Sequence, residues 1–287
     1  MLADPNGSCD LLQKPSYGLA GQTLLITGIT RGIGLALLPG LLEEGVRLIA
    51  VDLDYREMES VRERLGVAED CLRLFECDLS DSAAVEKLGL ELAATTASLD
   101  AILHNAAWIE SPRLFEDSTN EHWMKLFQIN VFSPVLLTRQ LLPLLRQSSG
   151  GRIIFTGSVL DALGPARLNA YSASKGAVDA LTRSLAHELQ GTRITVNSLV
   201  PGAILTDAEA TDPERDALLL GWQSVGRRLR PRDLLGPLCL LLSEAGSGIS
   251  GQSIPVDGGL FHPLAGHSWA AGNVRISGSA QPTKEST

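Results

Sequence analysis

Tyr171 and Lys175 stand four residues apart in the stretch N-A-Y-S-A-S-K-G-A. On a helix that step puts two side chains on one face, one above the other. An unperturbed phenol, with a pKa of about 10, is too weak an acid for proton transfer near neutrality, and a cation held beside it favours the ionised form. Such a pair could give and take a proton. Tyr-x-x-x-Lys also arises by chance on exposed helices, so its weight depends on the rest of the chain. A second group of residues lies far upstream, in G-I-T-R-G-I-G. Glycines at 28, 32 and 34 permit a tight turn and a close approach of backbone N–H groups to an anion at a helix N-terminus.

The elements that must carry these residues alternate in kind. Candidate strands are Thr23–Thr27, Arg47–Asp52, Leu72–Glu76, Ala101–His104, Arg152–Thr156, Thr195–Val200 and Ser253–Val256. Helical patterns lie between them near 32–44, 55–64, 81–95, 120–147, 170–190 and 231–242. Alternating strands and helices, with strands apolar enough to be covered on both faces, predict an α/β fold: a single, doubly wound Rossmann-type domain with a seven-stranded parallel sheet. The glycine turn then falls between the first strand and its helix. Asp52 ends the second strand, 18 residues after Gly34, near the ~20 at which an acid meets the adenosine ribose in dinucleotide folds. That context turns a weak glycine pattern into a dinucleotide-binding fingerprint. Pro39, inside the first helix, is expected to kink or shorten it.

Residues 1–20 read as an irregular arm, 21–263 as the domain, and 264–287 as a Gly/Ser/Ala-rich tail carrying Trp269. The polar end, Gln281–Thr287, is expected to be disordered. Of the 287 residues, 44% are hydrophobic and 20% charged, a composition that builds a sizeable soluble core. The net charge of −9 excludes a general nucleic-acid binder, because phosphate contacts need a basic surface. No apolar run approaches the roughly 18 residues of a membrane span, and the opening M-L-A-D-P-N-G-S-C-D lacks the basic start and apolar stretch expected of a signal peptide. Cys9, Cys71, Cys77 and Cys239 have neither metal-ligand nor framework spacing, so free thiols in a reducing cytoplasm, and no metal, are expected.

The glycines are spaced Gly-x-x-x-Gly-x-Gly, and here the chain resembles the short-chain dehydrogenase/reductase family. Further marks follow in order: His104-Asn105-Ala106-Ala107 in place of the family's Asn-Asn-Ala-Gly, Asn130 in Q-I-N-V, and Ser158 in I-I-F-T-G-S, thirteen residues before Tyr171. Val200-Pro201-Gly202 with Thr206, then Ser250-Gly251-Gln252 with Val256-Asp257-Gly258-Gly259, complete the resemblance over about residues 20–262. The departures are His104, read as a packed strand-end histidine, and Ala107, which slightly alters the cofactor wall. The resemblance implies a catalytic set of Asn130, Ser158, Tyr171 and Lys175. Tyr171 would exchange the proton, Ser158 would hold the substrate oxygen, Lys175 would lower the Tyr171 pKa and bind the nicotinamide ribose, and Asn130 would fix a water leading to solvent. It implies cofactor contacts from Gly28, Arg31, Gly32, Ile33, Gly34, Asp52, Asp78, Leu79, Asn105, Ala106, Pro201, Gly202, Ile204 and Thr206, besides Tyr171 and Lys175.

Two residues disagree on the cofactor. Asp52 should accept from ribose hydroxyls and repel a 2′-phosphate, whereas Arg31 stands where users of NADPH often carry a base. The carboxylate faces the discriminating atom, so NAD is expected, with NADP the alternative. Trp108 and Arg167 are placed by the resemblance near the pocket mouth, where one could stack on a sugar and the other clamp an anion. Arg227, Arg228, Arg230 and Arg232, with Trp222, sit in the lid region from Asp207 to about Arg232; ion pairs on a solvated face are the simpler reading of that cluster. The resulting expectation is a cytoplasmic, NAD-dependent oxidoreductase acting on a secondary alcohol, cyclic hemiacetal or ketone, with a polar small molecule such as a sugar or hydroxy acid favoured. The rivals are a 3-oxoacyl-thioester reductase (carrier protein or CoA) using NADPH and a non-catalytic dinucleotide sensor. A nucleotide-sugar epimerase fits the glycine spacing poorly. No nucleic-acid or membrane partner is expected, and the resemblance implies a homo-oligomer, tetramer or dimer.

Overall fold

Strand β1 (Thr23–Thr27, T-L-L-I-T) is buried at every position. Its alternate residues feed different cores: Leu24 and Ile26 pack in one apolar cluster, Leu25 in the other. A strand that buries both faces needs helices on each side of its sheet. The computed structural model, which describes residues 17–109, 111–206 and 213–260, supplies them. Strands β2 (Arg47–Asp52), β3 (Leu72–Glu76), β4 (Ala101–His104), β5 (Arg152–Thr156), β6 (Thr195–Pro201) and β7 (Ser253–Val256) join β1 in one sheet. Its order is β3-β2-β1-β4-β5-β6-β7, and every pairing is parallel. The seven-stranded, doubly wound Rossmann-type sheet is thus as expected.

The helices are α1 (Gly32–Glu43), α2 (Tyr55–Leu65), α3 (Ser82–Thr95), α4 (Asn120–Phe127), α5 (Ser133–Leu145), α6 (Leu160–Leu163), α7 (Asn169–Glu188), α8 (Pro213–Trp222) and α9 (Leu235–Leu242). One cluster packs α1, α2 and α9 on the sheet; the other packs α3, α5 and α7 on its opposite face. After β3 the chain crosses to the far side of β1 to lay down β4. A crevice opens outside the C-terminal ends of strands at such a switch point. The turns after β1 and β4 meet there.

Several local features differ from the sequence reading. Helix α1 runs unbroken through Pro39, because Pro39 lies on the exposed side, where water can take the carbonyl that its missing N–H leaves free. The stretch 120–147 is α4 and α5 joined by a π-helical turn, Gln128–Phe132. The last helix begins as a 3-10 turn, Pro231–Leu234. Helix α6 was not expected, and α8 lies in the lid region, for which a solvated helix face was the simpler reading. The 264–287 tail with Trp269, residues 1–16 with Cys9, and the 207–212 part of the lid region lie outside the described residues. Cys71, Cys77 and Cys239 are free thiols. Among the described residues, no helix is long and apolar enough to cross a membrane, and no cluster of His, Cys, Asp or Glu could hold a metal.

Candidate active site

The glycine turn is shaped by two close approaches. Gly28 has φ +75°, and a Cβ there would lie 2.8 Å from the Ala106 backbone. At Gly34 a Cβ would fall 1.8 Å from the Gly28 carbonyl oxygen. Only glycine lets α1 start this tightly behind β1. The turn is then pinned from both neighbouring strands. From β4, Asn105 Nδ2 donates to the carbonyls of Thr27 (3.0 Å) and Gly28 (2.8 Å), while Thr27 Oγ1 accepts from the N–H groups of Asn105 and Ala106. From β2, Asp52 Oδ2 accepts from the Ile29 N–H (2.7 Å), the Thr30 N–H (2.9 Å) and the Thr30 hydroxyl (3.0 Å). Helix α1 itself has no side-chain cap and no acid in its first turn. Its N-terminus therefore presents partial positive charge to any anion that enters.

On the other side of the switch point, β5 delivers Ser158 and α7 delivers Tyr171 and Lys175. Tyr171 and Ser158 are hydrogen-bonded through their side chains. Lys175 is buried; its Nζ donates to the Thr156 carbonyl at 2.7 Å and lies 5.6 Å from the centre of the Tyr171 ring. Burial pushes Lys175 down to about 8, against the pull of the Asp161 charge. Tyr171 is held above the ordinary value for a phenol: burial raises it, the Ser158 hydrogen bond opposes that, and Asp161 adds to the rise. Lys175 was expected to bring Tyr171 down; in the chain as it stands, desolvation is the largest influence and the net shift is upward.

Asn130 sits in the π-helical turn and is buried. Its Oδ1 accepts from the Trp108 N–H (2.8 Å), and its Nδ2 donates to the Trp108 carbonyl (3.0 Å) and to Ser174 Oγ (3.1 Å). Ser174 in turn donates to the Tyr171 carbonyl. Asn130 thereby ties the segment after β4 to the helix that carries Tyr171 and Lys175, without lining the cavity itself.

That cavity, of about 910 Å³, joins the two halves. Gly28, Arg31, Gly32, Ile33, Asp52, Asn105 and Ala106 line its β1–β2 side; Ser158, Tyr171, Lys175, Pro201, Gly202, Ile204 and Thr206 line its β5–β6 side. A dinucleotide fits such a cleft: a capless helix start behind a glycine turn for the phosphates, a carboxylate at the end of β2, and a phenol–lysine pair across the sheet.

The chain matches the short chain dehydrogenase family over residues 22–217. It belongs to the short-chain dehydrogenase/reductase family. It is 36% identical over 257 residues to the rhamnolipids biosynthesis 3-oxoacyl-[acyl-carrier-protein] reductase of Pseudomonas aeruginosa, covering 86% of this chain and 99% of that one. With the 2-dehydro-3-deoxy-D-gluconate 5-dehydrogenase of Pseudoalteromonas atlantica the identity is 34% over 256 residues, covering 87% and 98%. Among solved structures, the active-site complex of Pseudomonas aeruginosa RhlG with NADP superposes with a TM-score of 0.79 at 33% identity, covering 87% of this chain and all of that one (100%). This short-chain dehydrogenase/reductase is accordingly an NAD(P)-dependent oxidoreductase.

Not every residue singled out in the sequence lies in the cleft of this short-chain dehydrogenase/reductase. Gly34 stands behind the turn, and Asp78 and Leu79 do not line the cavity; Asp78 accepts from the Ser80 N–H, and the Leu79 carbonyl accepts from Ser133. Trp108 turns its ring to α4, with His122 at 5.2 Å between centroids and Lys125 Nζ at 5.2 Å. Arg167 is exposed in a left-handed conformation, φ 70°, its carbonyl accepting from the Arg113 N–H. Neither lines the cavity. Arg227 is paired with Asp233 and Arg228 with Asp216, as the simpler reading of the arginine cluster has it. His104 is buried, stacked on Phe155, with Nε2 at 2.8 Å from Thr138 Oγ1.

The sequence reading missed Thr27, Thr30, Ser174 and Asp161, as well as Asp54 and Glu57, which line the cavity beside Asp52. Ser174 carried a signal, since i+3 from Tyr171 places it on a neighbouring stripe of α7. Asp54 carried one too: it caps α2, accepting from the N–H groups of Arg56 and Glu57.

Proposed function

We propose that this protein moves a hydride between NAD(H) and a secondary alcohol or the corresponding ketone, with Tyr171 as the proton donor and acceptor. The observation that carries this is the meeting of Ser158, Tyr171 and Lys175 in the same cavity as the glycine turn. The dinucleotide, when bound, supplies or takes the hydride. The chain's residues do the rest. Ser158 holds the substrate oxygen next to the Tyr171 hydroxyl, and burial keeps the proton on Tyr171 until a carbonyl oxygen is there to take it. Lys175 bonds ribose hydroxyls and, through a water held near Asn130, reconnects Tyr171 with solvent. Gly28, Arg31, Gly32, Ile33 and Gly34 shape the pyrophosphate site; Asn105, Ala106, Pro201, Gly202, Ile204 and Thr206 flank the nicotinamide.

For the cofactor we infer NAD over NADP. Asp52, Asp54 and Glu57 all face the cavity at the end of β2, against Arg31 alone. Three carboxylates repel a 2′-phosphate more strongly than one guanidinium attracts it. The NADP held by the RhlG structure is the observation on the other side. The substrate reading divides between a sugar or hydroxy acid, supported by the gluconate-type relative, and a 3-oxoacyl thioester, supported by the acyl-carrier relative and Arg31. A dinucleotide sensor would have no use for the acid–base set. A homo-oligomer built on α4, α5 and α7 is supported by the exposed Met124 and Phe132 on that side.

Tyr171→Phe tests the reading. Turnover should fall by about 10²- to 10⁴-fold, the usual range for removing an acid–base group, while NADH fluorescence titration gives an unchanged Kd. Retained turnover sinks the assignment.

A further inference from the structure

Beyond the glycine turn with its acids and Leu53, the Asn105–Ala107 and Thr156–Gly157 segments, and the reacting residues with the Pro201–Thr206 segment, the cavity is lined by Ile109, Val159, Leu160, Leu163, Leu219 and Leu260. All six are aliphatic, and they come from four separate segments. Ile109 lies past the turn after β4, Val159, Leu160 and Leu163 are at or in α6, Leu219 is on α8, and Leu260 follows β7. Ile109 is 54% exposed, and Leu160, Leu163 and Leu219 are half-buried, so among the described residues apolar surface faces the cavity uncovered. A concave apolar surface left open to water next to a reacting centre marks a ligand.

This wall is joined directly to the reacting residues. The Leu160 N–H donates to Ser158 Oγ at 3.2 Å, and the Asp161 N–H to the Ser158 carbonyl at 3.3 Å. The serine that holds the substrate oxygen is therefore also bonded to the first two residues of α6. Leu160 and Leu163, three residues apart, share a face of that single turn and line the cavity, whereas Asp161 and Ala162 between them do not. A carbon chain on the reacting centre meets these leucines first. Arg167, expected here, is outside the lining, and Arg227 and Arg228 are paired with Asp233 and Asp216.

We propose that the substrate carries an aliphatic chain on its reacting carbon, seated against Leu160 and Leu163 with Ile109 and Leu219 around it. The class is an alkyl ketone and its secondary alcohol, as opposed to a polyhydroxylated acid. Hydroxyls placed against this wall would lose water without gaining a partner, whereas each methylene removed from water strengthens binding by about fourfold. The proposal rests on the hydride-transfer reading. In reduction the carbonyl carbon gains the hydride as NADH becomes NAD⁺, and the oxygen takes the Tyr171 proton, which solvent restores.

The test follows NADH oxidation by the full chain on 2-alkanones from butanone to 2-nonanone, with 5-keto-D-gluconate as the polyhydroxylated acid. kcat/KM should climb about three- to fourfold per added methylene, carried by KM, and 5-keto-D-gluconate should fall below butanone. Leu163→Asp should flatten that climb to less than twofold per methylene, and Leu163→Met should keep it; NADH titration establishes that each variant is folded. A flat or falling profile, or faster turnover of 5-keto-D-gluconate than of every alkanone, overturns the aliphatic chain and leaves hydride transfer standing. Absence of NADH oxidation with every carbonyl compound in the panel overturns instead the hydride-transfer reading on which the proposal rests.

Discussion

On the β1–β2 side of the cavity, most of the contacts that set its shape involve backbone. Asn105 bonds carbonyls of the turn, Asp52 bonds its N–H groups, and Gly34 is small because a carbonyl oxygen occupies the space. Past Ser158 the wall is made of side-chain methyl groups from four segments that share no motif. On the proposed reading, the first kind of surface would recognise what every dinucleotide has in common. The second would recognise whatever a particular substrate carries, and it can change one side chain at a time without disturbing a hydrogen bond. One chain can thus keep its chemistry while its substrate changes.

If that contrast is sound, damage on the two sides should read out differently. The largest effect is expected from Gly34→Ala. Its methyl group would collide with the Gly28 carbonyl, so the turn must shift, and we expect NADH affinity to fall by at least about a hundredfold, as for the loss of charge-assisted bonds summing to about 3 kcal/mol. Near-normal NADH titration would show that the turn is not backbone-limited. Next comes Asp52→Asn, which keeps an acceptor for the Ile29 and Thr30 N–H groups but removes the charge. The ratio of kcat/KM for NADP over NAD should rise about ten- to a hundredfold, the range of one charged hydrogen bond. No change would mean that Asp52 serves only to hold the turn.

The smallest effect concerns the floor between the two sides. His104 ends β4 directly before Asn105, and burial pushes it down to about 3 from an ordinary 6.5. As pH falls, the unfolded chain takes up this proton first. The stability that depends on a neutral His104 is complete above about pH 6.5 and drains away towards 3, at about 1.4 kcal/mol per pH unit. Urea unfolding at pH 7.5 and 5.5 should show a larger loss for the wild type than for His104→Leu. Equal losses would place the acid sensitivity in other groups.

Much of this was legible in the chain. The seven strands lie where their apolar runs lie, because a strand buried on both faces leaves an unbroken signature. The glycine turn and the Tyr171–Lys175 step were legible because each is local, set by neighbours a few residues away. Helix α6 was not: four residues are too few to show a helical period. Nor were the positions of Trp108 and Arg167, since a loop side chain points wherever the packing of its turn sends it, and Asn130 sends the Trp108 segment towards α4.

The sequence by itself therefore determined the sheet, the glycine turn and the Tyr171–Lys175 step, all of which follow from backbone geometry repeated along the chain. Only the tertiary structure decided what surrounds the reacting oxygen. It buried Lys175 and half-buried Tyr171, enough for desolvation to lead both pKa shifts. It also brought leucines from α6 and α8 to the place where an arginine and a tryptophan had been expected. Burial and convergence of distant segments are properties of the assembled sheet and helices, and no short window of residues encodes them.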